Sequence, residues 1–179
     1  MSLPTVFISY NPNSEIEQTL ALRLHTIGAV HGFNMILPER NMNLNTVTNE
    51  TKGRILLSDY FILFSTGALS NLVQQEINIA FAKHKDKSRI LVLYDKAKGK
   101  NLKGAENCTE IYIDTREDAL KIVIDIASKI KSKAENHLLS TLSGILLIGV
   151  GLFALAEILE PVSKPGKKTP SKRKKKVNA

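Results

Sequence analysis

The strongest constraint on the fold is the run Tyr60–Ser65, which is apolar on both faces of a strand. A strand with one face in water alternates apolar and polar residues, whereas a strand covered on both faces is a continuous apolar run. Strands of the second kind lie in parallel sheets, where helices cover both faces. The run therefore predicts a parallel sheet buried between two layers of helices.

Four further short runs are rich in β-branched, aromatic and aliphatic residues, as is typical of strands. They alternate with segments that have the apolar period of amphipathic helices. The predicted strands span 5–9, 33–37, 60–65, 89–94 and 111–113, and the predicted helices begin near 15, 45, 70 and 117 and end near 28 or 32, 58, 84 and 133. Such alternation indicates βαβ units. We predict an α/β fold of the flavodoxin-like, doubly wound type with a five-stranded parallel sheet.

Two predicted helices begin with a capping signal. Ser14 is followed three residues later by Glu17, the spacing of a capping box, in which each side chain bonds the other residue's backbone amide. Ser70 can cap the third helix. Gly28 or Gly32 is expected to end the first helix, since glycine is the usual residue after a helix C-terminus.

A stretch of 19 residues, 138–156, carries no charge. As a helix it is about 28 Å long, close to the roughly 30 Å of a bilayer's hydrocarbon core. We predict a domain over 1–134, then a hydrophobic and membrane-spanning helix over 137–160. The alternative is a hydrophobic helix that packs on the domain or on a sister chain.

The net charge of +8 belongs to the C-terminal tail. Eight of the 25 basic residues lie from Lys164 onward without an acid, and the remaining 17 balance the 17 acidic residues. A nucleic-acid-binding domain would carry the excess on its folded face, so no specific nucleic-acid partner is expected. The tail, 161–179, is predicted to be disordered and suited to anionic lipid headgroups.

Localisation follows from the cysteine content and the termini. Cys108 is the single cysteine, which excludes an intrachain disulfide and favours a reducing compartment. No signal-peptide pattern is present at the N-terminus. A basic C-terminal flank favours a cytoplasmic tail, and with a single span this would put the domain outside. A tail-anchored arrangement, or a helix that lies in the membrane surface, would avoid that conflict. We expect a membrane-associated protein with the domain in the cytoplasm, and a soluble cytoplasmic protein is the alternative.

The residues after the strands exclude several chemistries of this fold class. A phosphate-accepting receiver domain needs acids after the first strand and an aspartate closing the third, where this chain has Ser9-Tyr10-Asn11 and Ser65. A P-loop and a G-x-G-x-x-G turn are both absent. No cluster of residues has metal-ligand spacing, and we expect neither a metal nor a bound cofactor.

Glu76 is the residue that most needs an explanation. At 100° per residue it falls within the apolar stripe of the third helix, and no basic residue stands three or four positions away. Burial of an unpaired carboxylate is costly, so Glu76 must find a partner, become protonated or face a cleft. It lies near the carboxyl edge of the sheet, where doubly wound sheets bind ligands. The alternative is a glutamate at the edge of the stripe that reaches solvent or a distant lysine.

At two points the sequence resembles the Toll/interleukin-receptor (TIR) domain family. Val6-Phe7-Ile8-Ser9-Tyr10, before a capped helix, is similar to that family's opening box. The strand 61–65 with Ser70-Asn71-Leu72-Val73-Gln74-Gln75-Glu76 is similar to its Ser-x-Trp-Cys-x-x-Glu helix. The resemblance covers about residues 4–133. The chain departs from the family at Leu72, which replaces the tryptophan, and in the loop 38–41, which lacks the Arg-Asp…Pro-Gly signature.

This resemblance implies cleavage of NAD, as in many bacterial, plant and some animal members, with NAD as substrate and no cofactor. Glu76 would contact the nicotinamide ribose and stabilise its oxocarbenium-like transition state as nicotinamide leaves. The resemblance also implies self-association and a role in immune defence or cell-death signalling. The residues implied are Glu76 as the catalytic residue and Phe7, Ser9, Tyr10, Arg40, Asn43 and Ser70 as substrate-binding residues.

Other functions stay open at this point. A non-catalytic TIR-like module would use the same faces only to oligomerise, anchored at a membrane. A membrane-disrupting effector would assemble its 138–156 helices into a pore. Nucleoside deoxyribosyltransferases, which use a glutamate on a related fold, are a related alternative.

Overall fold

The computed structural model describes residues 3–40 and 45–141. Within these ranges, helices and strands alternate along the chain. Their bounds are β1 (Thr5–Ser9), α1 (Glu15–Val30), β2 (Asn34–Ile36), α2 (Asn49–Leu57), β3 (Tyr60–Ser65), α3 (Asn71–Lys83), a 3₁₀ turn (Lys87–Arg89), β4 (Ile90–Asp95), β5 (Thr109–Ile113) and α4 (Ala119–Thr141).

The five strands form one parallel sheet in the order β2-β1-β3-β4-β5. Helices α1 and α4 pack against each other over one face, and α2 and α3 over the other. The predicted flavodoxin-like, doubly wound sheet is therefore confirmed. The direction of the strand order reverses between β1 and β3, which is the place where this type of sheet opens a crevice for ligands.

Burial follows the alternation of side chains along the strands. In β1, Val6 and Ile8 face the layer of α1 and α4, whereas Phe7 belongs to the apolar cluster beneath α2 and α3. The central strands β3 and β4 are buried at every residue. The prediction that Tyr60–Ser65 lies inside a parallel sheet is confirmed.

Helix α1 starts where its cap predicts and ends at Val30, two residues before the second of the two glycines. The Ser14 hydroxyl accepts from the Glu17 amide, and Gly32 follows the C-terminal cap with a φ of +83°. Gly28 instead lies inside the helix. Ile16 is 51% exposed and lies in a surface groove between α1 and α4.

Helix α4 extends beyond its predicted end near residue 133 and runs to Thr141. It begins at Ala119, because the Asp118 side chain accepts from the amides of Leu120 and Lys121. The compact unit that contains the sheet ends at Thr141. The rest of the predicted 137–160 helix and the tail 161–179 lie outside the described residues. Among the helices that are described, none combines the length and hydropathy that a bilayer crossing requires.

Candidate active site

Three parts of the fold bring polar side chains together at the carboxyl edge of the sheet. Ser9 is the last residue of β1, Arg40 follows β2 by four residues, and Glu76 lies on α3. Side chains two residues apart on a strand lie on the same face of the sheet, so Ser9, like Phe7, points toward α3. Ser9 and Arg40 are 67 and 36 positions from Glu76 in the chain, and the parallel topology makes the three side chains neighbours.

Glu76 is 2% exposed and has two polar partners. The Ser9 hydroxyl, itself fully buried, donates to Glu76 Oε2 at 2.5 Å. Arg40 Nη2 lies 3.3 Å from both carboxylate oxygens. Of the three outcomes expected for this carboxylate, which are a partner, protonation or a cleft, the structure shows partners: Ser9 from β1 and Arg40 from the segment after β2.

Arg40 is held at the same time by Tyr10. Its Nη2 donates to the Tyr10 carbonyl oxygen at 2.7 Å, and its guanidinium carbon lies 4.8 Å from the centre of the Tyr10 ring. Its Nε and Nη1 are buried, and no described residue accepts a hydrogen bond from either. One of the three guanidinium nitrogens, Nη2, is therefore occupied, and the other two have no partner in the described structure.

The charge state of Glu76 results from two opposing effects. Burial raises the pKa of its carboxyl above the ordinary value, whereas the Arg40 charge and the Ser9 hydrogen bond lower it. Burial is the largest of these effects, and the net direction is upward. Perturbed carboxyls of this kind are concentrated at functional sites.

A small pocket opens beside Glu76 and Arg40. Its volume is about 10 Å³, which is room for about one water molecule. Any larger ligand therefore requires a side chain to move. The residues that line the pocket are Glu39, Arg40, Thr46, Val47, Thr48, Thr51, Leu72 and Glu76.

The structure brings together four of the seven residues implied by the family resemblance: Ser9, Tyr10, Arg40 and Glu76. Phe7 is fully buried and stacks on Phe61 with ring centres 5.6 Å apart, because it lies two residues deeper in the sheet than Ser9.

A further implied residue, Ser70, does not join this cluster. The Ser70 hydroxyl accepts from the Val73 amide at 3.3 Å and so caps α3. Asn43 lies outside the described residues.

The threonines of the pocket were not predicted from the sequence. The Thr48 hydroxyl donates to a Glu39 carboxylate oxygen at 2.9 Å, and the Thr51 hydroxyl donates to the Glu39 carbonyl oxygen at 2.7 Å. Thr48 also caps α2 by accepting from the Thr51 amide. The sequence signal that could have identified them is Thr48, a residue type favoured at helix N-caps, which would have placed the start of α2 at residue 49, beside the site.

A second buried carboxylate, Glu17, lies where the strand order reverses. It is 1% exposed and accepts from the Asn11 amide at 2.7 Å, the Thr66 amide at 2.9 Å and the Thr66 hydroxyl at 2.8 Å. The Ser14 amide bonds the Asn11 carbonyl instead, so only half of the predicted capping box forms. The Glu17 carboxylate therefore accepts hydrogen bonds from loop amides of the kind that bind phosphate in such crevices.

Comparison with known proteins assigns no family to the chain. No protein-family model matches the sequence, and no curated protein matches it. Among solved structures, FerB, a flavoenzyme NAD(P)H:(acceptor) oxidoreductase from Paracoccus denitrificans, is similar with a TM-score of 0.43 and 13% identity. The match covers 75% of this chain and 99% of that chain.

Proposed function

We propose that this protein is a TIR-like NAD glycohydrolase or cyclase, which breaks the bond between nicotinamide and ribose. The observation that carries the proposal is Glu76, a carboxylate that is 2% exposed and borders a pocket at the carboxyl edge of the sheet. Ligands bind at this edge in doubly wound folds. A carboxylate in such surroundings suits a substrate whose reacting group becomes positively charged.

The chemical step needs a negative group beside C1′ of the ribose. The C1′–N bond breaks, its electron pair moves to the nicotinamide nitrogen, and the ribosyl group acquires oxocarbenium character. Ionised Glu76 stabilises that charge, and its buried surroundings strengthen the attraction. Water then adds at C1′ and loses a proton, or a nitrogen of the adenine adds there in the cyclase reaction.

Ser9 and Arg40 have different roles in this proposal. The Ser9 hydrogen bond orients the carboxylate and favours its ionised form, which the step requires. Arg40 forms an ion pair with the Glu76 carboxylate in the described structure, and the pocket holds about one water molecule. Arg40 must therefore release Glu76 before a ribose can reach it.

The test is nicotinamide release by the purified chain, with and without a clustering agent. We expect Glu76→Gln to lower the rate by about 100-fold or more, since it removes the charge and keeps the shape. Glu50→Gln is the matched control, because Glu50 is 59% exposed on α2 and pairs with Arg54 on the same helix; it should keep the wild-type rate. Equal rates for wild type and Glu76→Gln would remove the basis of the proposal.

The cellular setting belongs to the same proposal. By the family resemblance, the domain would act after self-assembly, at a membrane, in immune defence or cell-death signalling. The uncharged stretch 138–156 and the basic residues from Lys164 onward support a membrane location with anionic lipid as partner. The domain would then face the cytoplasm, where NAD is available.

A second candidate is a non-catalytic TIR-like module that oligomerises at a membrane. The size of the pocket and the ion pair across it favour this function, because Glu76 is covered in the described structure. This candidate predicts self-association of the wild type and no nicotinamide release under any clustering condition. Glu76→Gln would then leave self-association unchanged.

A further inference from the structure

Large apolar side chains are exposed at the amino edge of the sheet, where the strands begin, which is the edge opposite the candidate active site. Among the described residues, Leu57 at 79% and Val30 at 78% are the most exposed large apolar side chains. Val30 ends α1, Leu57 ends α2, and exposed Leu3 precedes β1. A single exposed apolar residue needs no explanation, whereas several at one edge indicate a binding surface.

The same edge carries a basic segment, 83–89, between α3 and β4. Its basic residues are Lys83, Lys85, Lys87 and Arg89. The Lys83 ammonium donates to the carbonyl oxygens of Leu56 and Ser58, and the Lys87 ammonium donates to the Phe81 carbonyl oxygen. Carbonyl oxygens orient the ammonium groups without neutralising them, so both positive charges remain.

The pKa of buried His84, at the end of α3, reflects the positive potential of this segment. Burial is the main cause that lowers the pKa of the imidazole to about 4. The charges of Lys83, Arg89 and Lys87 lower it further, and the opposing effect of Asp59 is smaller than each of these. The edge beside β4 is therefore positive and suited to an anionic partner.

Helix α4 takes the chain to this edge as well. In a parallel α/β sheet, each helix returns from the carboxyl edge to the amino edge. Helix α4 spans 23 residues, which is about 35 Å, whereas the five residues of β5 span about 17 Å. Ala134 still packs in the core, and the helix continues to Thr141. The chain therefore leaves the compact unit on the amino side, where the uncharged stretch 138–156 begins.

We propose that the amino edge of the sheet is a membrane-binding face of the domain. Leu57, Val30 and Leu3 enter the headgroup region of an anionic bilayer, and the basic segment 83–89 contacts the lipid phosphates. A nucleic acid would offer negative charge without an apolar layer, whereas an anionic bilayer offers both. The inference goes beyond the proposed setting, which assigns anionic lipid to the C-terminal tail, and it does not depend on NAD cleavage. Glu76, at the carboxyl edge, then faces away from the bilayer.

The first experiment measures how close single positions lie to the lipid in the full chain, reconstituted in vesicles of phosphatidylcholine and phosphatidylserine. A fluorophore is attached at Leu57→Cys, Val30→Cys or Leu120→Cys, each in a Cys108→Ser background, and nitroxide-labelled lipid is the quencher. Leu120 is the matched control, because it is 47% exposed at the start of α4, at the carboxyl edge. The basic tail is the same in every protein.

We expect the nitroxide lipid to quench the fluorophore at Leu57→Cys and at Val30→Cys, and to leave the fluorophore at Leu120→Cys unchanged. Equal quenching at all three positions, or no quenching at the first two, would overturn the inference. Fluorescence at Leu57→Cys that changes with protein concentration in the absence of vesicles would show that a second copy covers this face, and would also overturn it. Melting temperatures report whether each variant is folded, and the two amino-edge positions test the face independently.

The second experiment tests the contribution of charge. Lys85→Glu reverses an exposed charge of the basic segment, and Lys96→Glu makes the same change on an exposed residue directly after β4, at the carboxyl edge. One basic residue near an anionic surface changes binding by roughly fivefold, so we expect Lys85→Glu to lower the quenching at Leu57→Cys by at least about twofold. Lys96→Glu should leave it unchanged.

Equal quenching in the two charge-reversal variants would contradict a contact between the basic segment and the lipid. In vesicles of phosphatidylcholine alone, the two variants should be quenched equally, because that surface carries no net charge. Neither experiment measures nicotinamide release, so a negative result here leaves the NAD-cleavage proposal standing, and loss of that proposal leaves this membrane-binding face open to the same test.

Discussion

At the scale of single residues, the two buried carboxylates at the carboxyl edge of the sheet differ in how well they are satisfied. Glu17 accepts three hydrogen bonds of ordinary length from the loops after β1 and β3. Glu76 accepts one from Ser9 and shares a longer contact with Arg40. Glu17 therefore joins two loops, whereas Glu76 retains the capacity to interact with a further group.

The raised pKa of Glu76 leads to a prediction about stability. A carboxyl whose pKa is higher in the folded than in the unfolded protein makes folding less favourable as the pH rises from its ordinary pKa of 4.5 through the folded value. Glutamine resembles the protonated carboxyl and carries no such penalty. We expect Glu76→Gln to raise the melting temperature at pH 7.5 by a few degrees while it abolishes activity.

The pH dependence provides the check on this prediction. The difference in melting temperature between Glu76→Gln and wild type should shrink as the pH falls, and vanish below the ordinary pKa of the carboxyl. Thermal unfolding from pH 4 to pH 8 measures it. A difference that stays constant over this range would show that the ionisation of Glu76 does not contribute to stability.

At the scale of elements, the sequence predicts most accurately the bounds of those helices and strands whose ends carry a local signal. Strand β3 and strand β1 have their predicted bounds, and α3 lies between its predicted cap at Ser70 and His84. Helix α2 starts at Asn49 and not near residue 45, because Thr48 provides the cap. The apolar pattern of this segment is too weak to mark its start without that cap.

Helix α1 carries a glycine whose role is close packing. A Cβ added at Gly28 would lie 2.2 Å from Met35 Cε and 2.4 Å from Met35 Cγ. Alanine in place of glycine favours a helix by about 0.5–1 kcal/mol, but overpacking costs about 1–3 kcal/mol. We expect Gly28→Ala to lower the free energy of unfolding by about 1 kcal/mol, as measured by urea denaturation.

Gly53 in α2 is the matched control, because a Cβ added there would have no atom outside its own neighbourhood within 4 Å. Gly53→Ala should raise the free energy of unfolding by up to about 1 kcal/mol through helix propensity alone. Equal stabilisation by both substitutions would mean that Met35 moves aside without cost, and that α1 tolerates a larger residue against β2.

At the scale of the whole molecule, the compact unit that contains the sheet ends at Thr141. A chain truncated after Thr141 keeps all of α4, whose buried residues complete the core on that face. We expect this chain to unfold in one cooperative transition. Under the proposed function, it should also release nicotinamide when clustered artificially, in a manner that depends on Glu76.

The same truncation separates the enzyme from a pore-forming effector. An effector that acts through residues 142–179 would lose its toxicity on truncation, and in the full chain its toxicity would be unaffected by Glu76→Gln. Leakage of a dye from anionic vesicles, measured beside nicotinamide release, distinguishes the two functions. Leakage that persists in full-length Glu76→Gln would favour the pore.

The sequence by itself determined the parallel sheet, the caps at Ser14 and Ser70 and the position of Glu76 on the apolar stripe of α3, because periodicity and caps act within a few residues of one another. The tertiary structure alone decided that Arg40 and Ser9 contact Glu76 and that Glu17 bonds Thr66, which is 49 positions away. It also decided that Phe7 lies below the site. Such contacts depend on the relative placement of strands and helices, which no local pattern encodes.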